Sequence, residues 1–137
     1  MPEAKQYTIL VASDSPEGFA ALLELAIPYA RLKSGQVILL KPVKSSGAEE
    51  TVIAPPDWLE GIARNVQALG IPAQAMVREA RSTARAIREA VRQVRAEFLL
   101  LGWQGDESQA PKEKGLGPVL TPLLANPPCN LAVMRLR

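Results

Sequence analysis

Apolar residues along the chain fall into two patterns: short, nearly unbroken runs, and longer stretches in which they recur at helical spacing. The run YTILVAS, Tyr7 to Ser13, reads as a first strand. In the SDSPEG that follows, Ser15 suits a helix N-cap, Pro16 the first helical position and Glu17 the first turn. Phe19, Leu22, Leu23, Ala26, Ile27 and Ala30 then form one apolar face until Ser34-Gly35 ends the pattern. QVILLKPV, Gln36 to Val43, is a second strand. Residues 44–56 read as a connection, after which Asp57 can cap a helix that runs to about Leu69 and is closed by Gly70 and Pro72.

AQAMVRE, Ala73 to Glu79, is a third strand, and Ser82 or Thr83 caps a helix with Ala86, Ile87, Ala90, Val91 and Val94 on one stripe. EFLLLGW, Glu97 to Trp103, is a fourth strand so apolar that both its faces must be covered. A short helix from Pro118 to Ala125 and a fifth strand, CNLAVMR, complete the chain. Strands alternating with helices predict an α/β doubly wound, Rossmann-like fold: a five-stranded parallel sheet of order 3-2-1-4-5 with helices on both faces. Such sheets bind ligands beyond the carboxyl ends of the strands, at the switch point. Here that point falls between the first and fourth strands, where Ala12, Ser13 and Asp14 meet Gly102 and the loop that follows.

The 137 residues are enough for one core, so residues 1–137 are read as one domain. With 47% hydrophobic and only 4% aromatic residues, that core is built from aliphatic side chains. One cysteine, Cys129, rules out an internal disulfide, and the lack of histidine removes the commonest general base and metal ligand. A cytoplasmic protein without direct membrane insertion is expected, since no apolar window is long enough to span a bilayer and the first residues do not form a signal peptide. Charge is uneven: residues 1–77 carry net −2 and residues 78–137 net +4.

The stretch LGWQGDESQAPKEKGLGPVLTPLL places Gly102, Gly105, Gly115 and Gly117 between a strand and a helix. Glycines there let the backbone approach an anion, and the next helix offers free N–H groups. The alternative is an exposed turn, because Asp106, Glu107 and Glu113 offset Lys112 and Lys114. No Gly-Lys-Ser/Thr follows, so it is not a P-loop. Arg81, Arg85, Arg88, Arg92 and Arg95 recur every three or four residues along the third helix. Glu89 and Glu97 flank this stripe and no aromatic interleaves it, so it reads as a solvated face without specific affinity for nucleic acid. Trp58 and Trp103 are read as packing residues, and Cys129 as a small hydrophobe with no base to activate it.

The ordering ILVASDSPEG, VILLKPV, VREARSTARAIREAV, FLLLGWQG and GLGPVLTPLLANPPCNLAVMR resembles the universal stress protein domain over nearly the whole chain. The resemblance implies a regulatory or signalling domain rather than an enzyme. In a nucleotide-binding branch of that family, a strand-one Asp, the end of strand two and a G-x2-G-x9-G-[ST] loop surround ATP; another branch lacks the full loop and binds none. Carried over by position, the nucleotide-binding set is Ala12, Asp14, Pro42, Gly102, Gly105, Gly115, Gly117, Pro118 and Val119.

The departures from that pattern are specific. Ala12 stands where the family commonly has Pro, and Pro42 where it commonly has Val. Gly115 keeps the nine-residue spacing but precedes Leu116, whereas Gly117 lengthens the loop by two and precedes Pro118, which has neither hydroxyl nor N–H. Weak binding of ATP or AMP, without a metal, is therefore expected. LGPVLTPLLANPPCNLAVMR also looks like universal stress protein domains fused behind amino-acid or cation transporters. The alternative expectation is thus a nucleotide-free interaction domain with a membrane transporter as partner. No catalytic residue is assigned: slow ATP hydrolysis, with Asp14 and Asp106 as the acidic candidates, ranks last. A homodimer through the fifth strand is expected, because CNLAVM is apolar on both faces and carries no edge-blunting charge or proline.

Overall fold

The computed structural model describes residues 7–44, 51–103, 123 and 125–135. Along the chain these form β1 (Thr8–Ala12), α1 (Pro16–Lys33), β2 (Gln36–Lys44), β3 (Thr51–Ile53), α2 (Asp57–Ala68), β4 (Ala73–Ala80), α3 (Thr83–Val94), β5 (Phe98–Trp103) and β6 (Asn130–Arg135). The sheet order is β3-β4-β2-β1-β5-β6. Leaving β3 aside, the strands are parallel and stand in the expected order 3-2-1-4-5. β3 is an addition to that expectation. It lies within the stretch read as a plain connection and pairs antiparallel to β4, with Val52 opposite Arg78.

The crossovers explain the layers. The connections through α1 and α2 step outward from β1 to β2 to β4, and both helices pack on one face with Phe19, Leu22, Leu59 and Val66 against Ile9, Val11 and Leu39. The connection through α3 returns past β2 and β1 to reach β5, so it covers the other face. Ala84, Ile87, Ala90 and Val91 meet Leu10, Ile38, Leu40 and Leu99 there, joined by the buried Leu123; most of the helix expected from Pro118 to Ala125 lies outside the described residues. Every residue of β1 is buried. Each large aliphatic side chain removed from water in this way contributes about 1.5–3 kcal/mol.

Local chemistry sets the helix ends. Ser15 and Ser82 are extended N-caps whose hydroxyls accept the N–H of Gly18 and Arg85. Asp57, expected as a cap, is instead the first residue of α2: Pro56 holds the N-cap position without a side-chain hydrogen bond. α1 ends at Ser34 in the left-handed region, and Gly35 follows because a Cβ there would stand 2.5 Å from the Tyr7 carbonyl oxygen. Trp58 packs against Phe19, ring centroids 6.1 Å apart, and so joins α2 to α1. The side chain of Trp103 lies outside the described part. Glu97 serves the sheet: its carboxylate accepts the Thr8 N–H at 3.0 Å, while its own N–H donates to the Thr8 carbonyl at 2.9 Å.

Candidate functional site

β1 is the strand at which the connections reverse, with β2 on one side and β5 on the other. In register, Ala12 lies opposite both Leu40 and Leu101, so Ser13 and Asp14 leave β1 beside Pro42 on β2 and Gly102 on β5. Adjacent strands are about 4.8 Å apart, which brings the three carboxyl ends within the width of one ligand ring system. Four of the expected positions, Ala12, Asp14, Pro42 and Gly102, are thus neighbours across one edge. Gly105, Gly115, Gly117, Pro118 and Val119 lie outside the described residues, as does Asp106.

The turn from β1 into α1 is tightly built. The Ser13 N–H donates to the Leu40 carbonyl at 3.1 Å, fastening the end of β1 to β2. The Ser13 hydroxyl donates to the Ser15 carbonyl and accepts the Ser15 N–H, both at 3.3 Å. Ser15 then caps Gly18 at 3.0 Å. Between these fixed residues Asp14 is exposed, its carboxylate presented to solvent at the head of the switch point. Ala12 is buried and forms the floor. A carboxylate above an apolar floor can accept from an amine or a hydroxyl of a ligand whose flat body covers the strand ends.

Arg78 was not among the sequence-derived candidates. It sits on β4 in register with Pro42, and its guanidinium donates to the Gln93 side-chain oxygen on α3. Its Nε is buried and has no hydrogen-bond partner among the described residues. A lone arginine inside an apolar strand was the available sign, but only the pairing of β2 with β4 brings it next to Pro42. No group of three or more Cys, Asp or Glu is placed to hold a metal ion among the described residues. None of the described helices is long and apolar enough to cross a membrane.

A doubly wound parallel sheet with its switch point between β1 and β5 defines the Rossmann-like class of α/β domains. Within that class the chain has the universal stress protein fold. A universal stress protein from Archaeoglobus fulgidus in complex with dAMP matches with a TM-score of 0.61 and 16% identity, over 96% of this chain and 98% of that one. A universal stress protein in complex with cAMP matches with a TM-score of 0.66 and 17% identity, over 93% and 96%. In sequence, the chain is 28% identical over 145 residues to the Na(+)/H(+) antiporter NhaS5 of a Synechocystis species, a match that takes in 98% of this chain and 20% of the antiporter. The chain therefore spans about a fifth of that relative's length, in keeping with the resemblance to transporter-fused domains. No family model matches the sequence.

Proposed function

We propose that this chain is a regulatory domain that binds an adenine nucleotide weakly at the carboxyl edge of β2, β1 and β5. The observation that carries the reading is the placing of Asp14, in the turn just past the end of β1, beside Gly102 on the neighbouring strand β5, in a fold shared with structures that hold dAMP and cAMP. Asp14 accepts from the adenine amine or a ribose hydroxyl, Ala12 and Pro42 flank the base, and Gly102 and Gly105 let the backbone approach. Gly115, Gly117, Pro118 and Val119 belong to the nucleotide-binding set by the resemblance alone, since they lie outside the described residues. Pro118 supplies neither hydroxyl nor N–H, so phosphate contributes little and the affinity stays low. The domain binds and signals; no step of covalent chemistry is assigned to it. Calorimetry with ATP and AMP tests the reading, and a sub-micromolar dissociation constant would overturn the claim of weak binding.

The antiporter match favours a second reading, in which the domain is fused to or acts on a membrane transporter and uses no nucleotide. Mass spectrometry of small molecules released from freshly purified protein separates the two. A bound adenine nucleotide supports the first, and an empty protein that associates with a transporter supports the second.

A further inference from the structure

On one face of the sheet α1 packs on β1, β2 and β5 and α2 on β4, and no described helix lies across β6. Ala132 and Met134 remain half-buried there, as does Phe98 on β5. The flank of α1 beside them is apolar too. Ala21, Leu25, Pro28 and Leu32 recur at spacings of four, three and four, which puts them on one line of the helix, and Leu25 is 46% and Leu32 76% exposed. Two contacts fix the direction of this line: the Tyr29 ring beside it meets Phe98, centroids 5.1 Å apart, whereas Leu23 and Ile27 line a groove toward α2. The stripe is thus the wall, and the face of β6 the floor, of one apolar corner. We infer that this corner docks an amphipathic helix of a protein partner, apolar side inward and a side rich in lysine and arginine against Glu17 and Glu24. The partner's identity rests on the second reading above, in which a transporter supplies the helix.

The rim of the corner is acidic. Glu17, Glu24 and Arg31 stand seven residues apart along the outer side of the stripe. Arg31 turns away from it and donates to the Leu69 carbonyl at the end of α2, at 3.3 Å. Lys33 lies over the rings of Tyr7 and Tyr29, 5.5 and 5.9 Å from their centroids. Glu17 and Glu24 are exposed and have no ion-pair partner among the described residues. A first-turn carboxylate such as Glu17 suits the helix dipole, but Glu24, in the middle of α1, has no such reason.

The dimensions select a helix. β6 lies two strand spacings from β1, about 9.6 Å, and packed helices stand about 8–10 Å apart, so a helix laid beside α1 comes down over β6 and extends the helical layer. An extended segment would instead pair in the plane of the sheet, at the edge of β6. A second copy joined edge to edge lies in that plane as well and widens the floor without filling the corner, and its own corner is equally concave. The antiporter match argues for the source. Four-fifths of that relative lies outside the matched region, and segments flanking membrane spans carry an excess of lysine and arginine. A tethered segment is present at a millimolar effective concentration, so a corner of few side chains is enough to hold it.

The test is NMR titration of the isotope-labelled whole chain with two helical peptides of about 14 residues, leucines on one side and either lysine or glutamate on the other. The lysine peptide should shift the amides of Leu25, Leu32, Ala132 and Met134 and bind roughly fivefold or more tightly than the glutamate peptide. Leu25→Ser combined with Leu32→Ser should remove binding and, both residues being exposed, leave the melting temperature within about 3 °C of the parent. Glu24→Lys should abolish the preference between the peptides. Equal binding of the two peptides, shifts centred on the groove between α1 and α2, or unchanged binding by the leucine double variant would refute the proposal. So would phosphatidylglycerol vesicles binding more tightly than the lysine peptide, which would mark a lipid surface. A fall in oligomeric mass of the leucine double variant with peptide affinity unchanged would mark a contact between copies, and the proposal would fall. The peptides need no transporter, so failure of the transporter reading leaves a bound peptide standing, and failure to bind the peptide leaves that reading untouched.

Discussion

Gly18 and Ser13 are packed so closely that a Cβ on Gly18 would lie 2.1 Å from the Ser13 hydroxyl oxygen. That hydroxyl is held by two contacts to Ser15, and Ser15 in turn caps the Gly18 N–H. The three residues hold the turn that carries Asp14. Gly18→Ala should gain helix propensity yet lose stability, because Ser13 must give up its hydrogen bonds to make room. Ser13→Ala in the same chain should recover much of the loss. Urea unfolding of the four-member cycle should give a coupling energy of about 1 kcal/mol or more. Additive effects would show that the contact is relieved without cost.

Asp14 is exposed and takes no part in the core, so Asp14→Ala should leave the melting temperature within about 2 °C of the parent. The same substitution should abolish AMP binding in calorimetry. Retained binding would move the ligand away from the switch point.

β6 is the edge of the sheet. Ala132 and Met134 pack on the α1 side and Leu131 and Val133 on the α3 side, all of them only half-buried. The connection that might have covered this edge instead places β3 at the opposite one, against β4. A second copy pairing antiparallel through β6 would satisfy the edge hydrogen bonds and bury these side chains. Light scattering should give twice the 14.8 kDa chain mass. Ala132→Pro, which removes a backbone donor, should shift the mass toward monomer if that N–H faces the partner. A monomer at high micromolar concentration would refute the pairing.

Burial pushes the Cys129 thiol from an ordinary 9.0 up to about 11, and its sulfur donates to the Asn130 carbonyl at 3.3 Å. The neutral thiol is the form the fold favours. Its contribution to stability is complete below about pH 9 and is lost as the pH rises through about 11. At pH 8 the thiolate fraction should be roughly 100-fold below that of a free cysteine, and because the more basic thiolate is also the better nucleophile the reaction with a disulfide reagent should be about tenfold slower. A rate within a few-fold of a free cysteine peptide would contradict this environment.

Much of the framework could be read from local pattern. Apolar runs and helical stripes located the parallel strands and helices, the handedness of crossovers ordered them, and that order placed Ala12, Asp14, Pro42 and Gly102 at one edge. Ser15 and Ser82 could be read as caps because a cap hydrogen bond spans only three residues. The remainder depends on contacts between distant parts of the chain. The three residues of β3 form a strand through pairing with β4, which a sequence window cannot register. Glu97 seemed part of a charged face until Thr8, 89 residues away, supplied its amide. Arg78 gained its place beside Pro42 from the alignment of β4 with β2. The arginines of α3 formed a plain solvated stripe in sequence; only the return of the chain through Pro127 and Pro128 made the end of that stripe one wall of a groove, because concavity requires two segments.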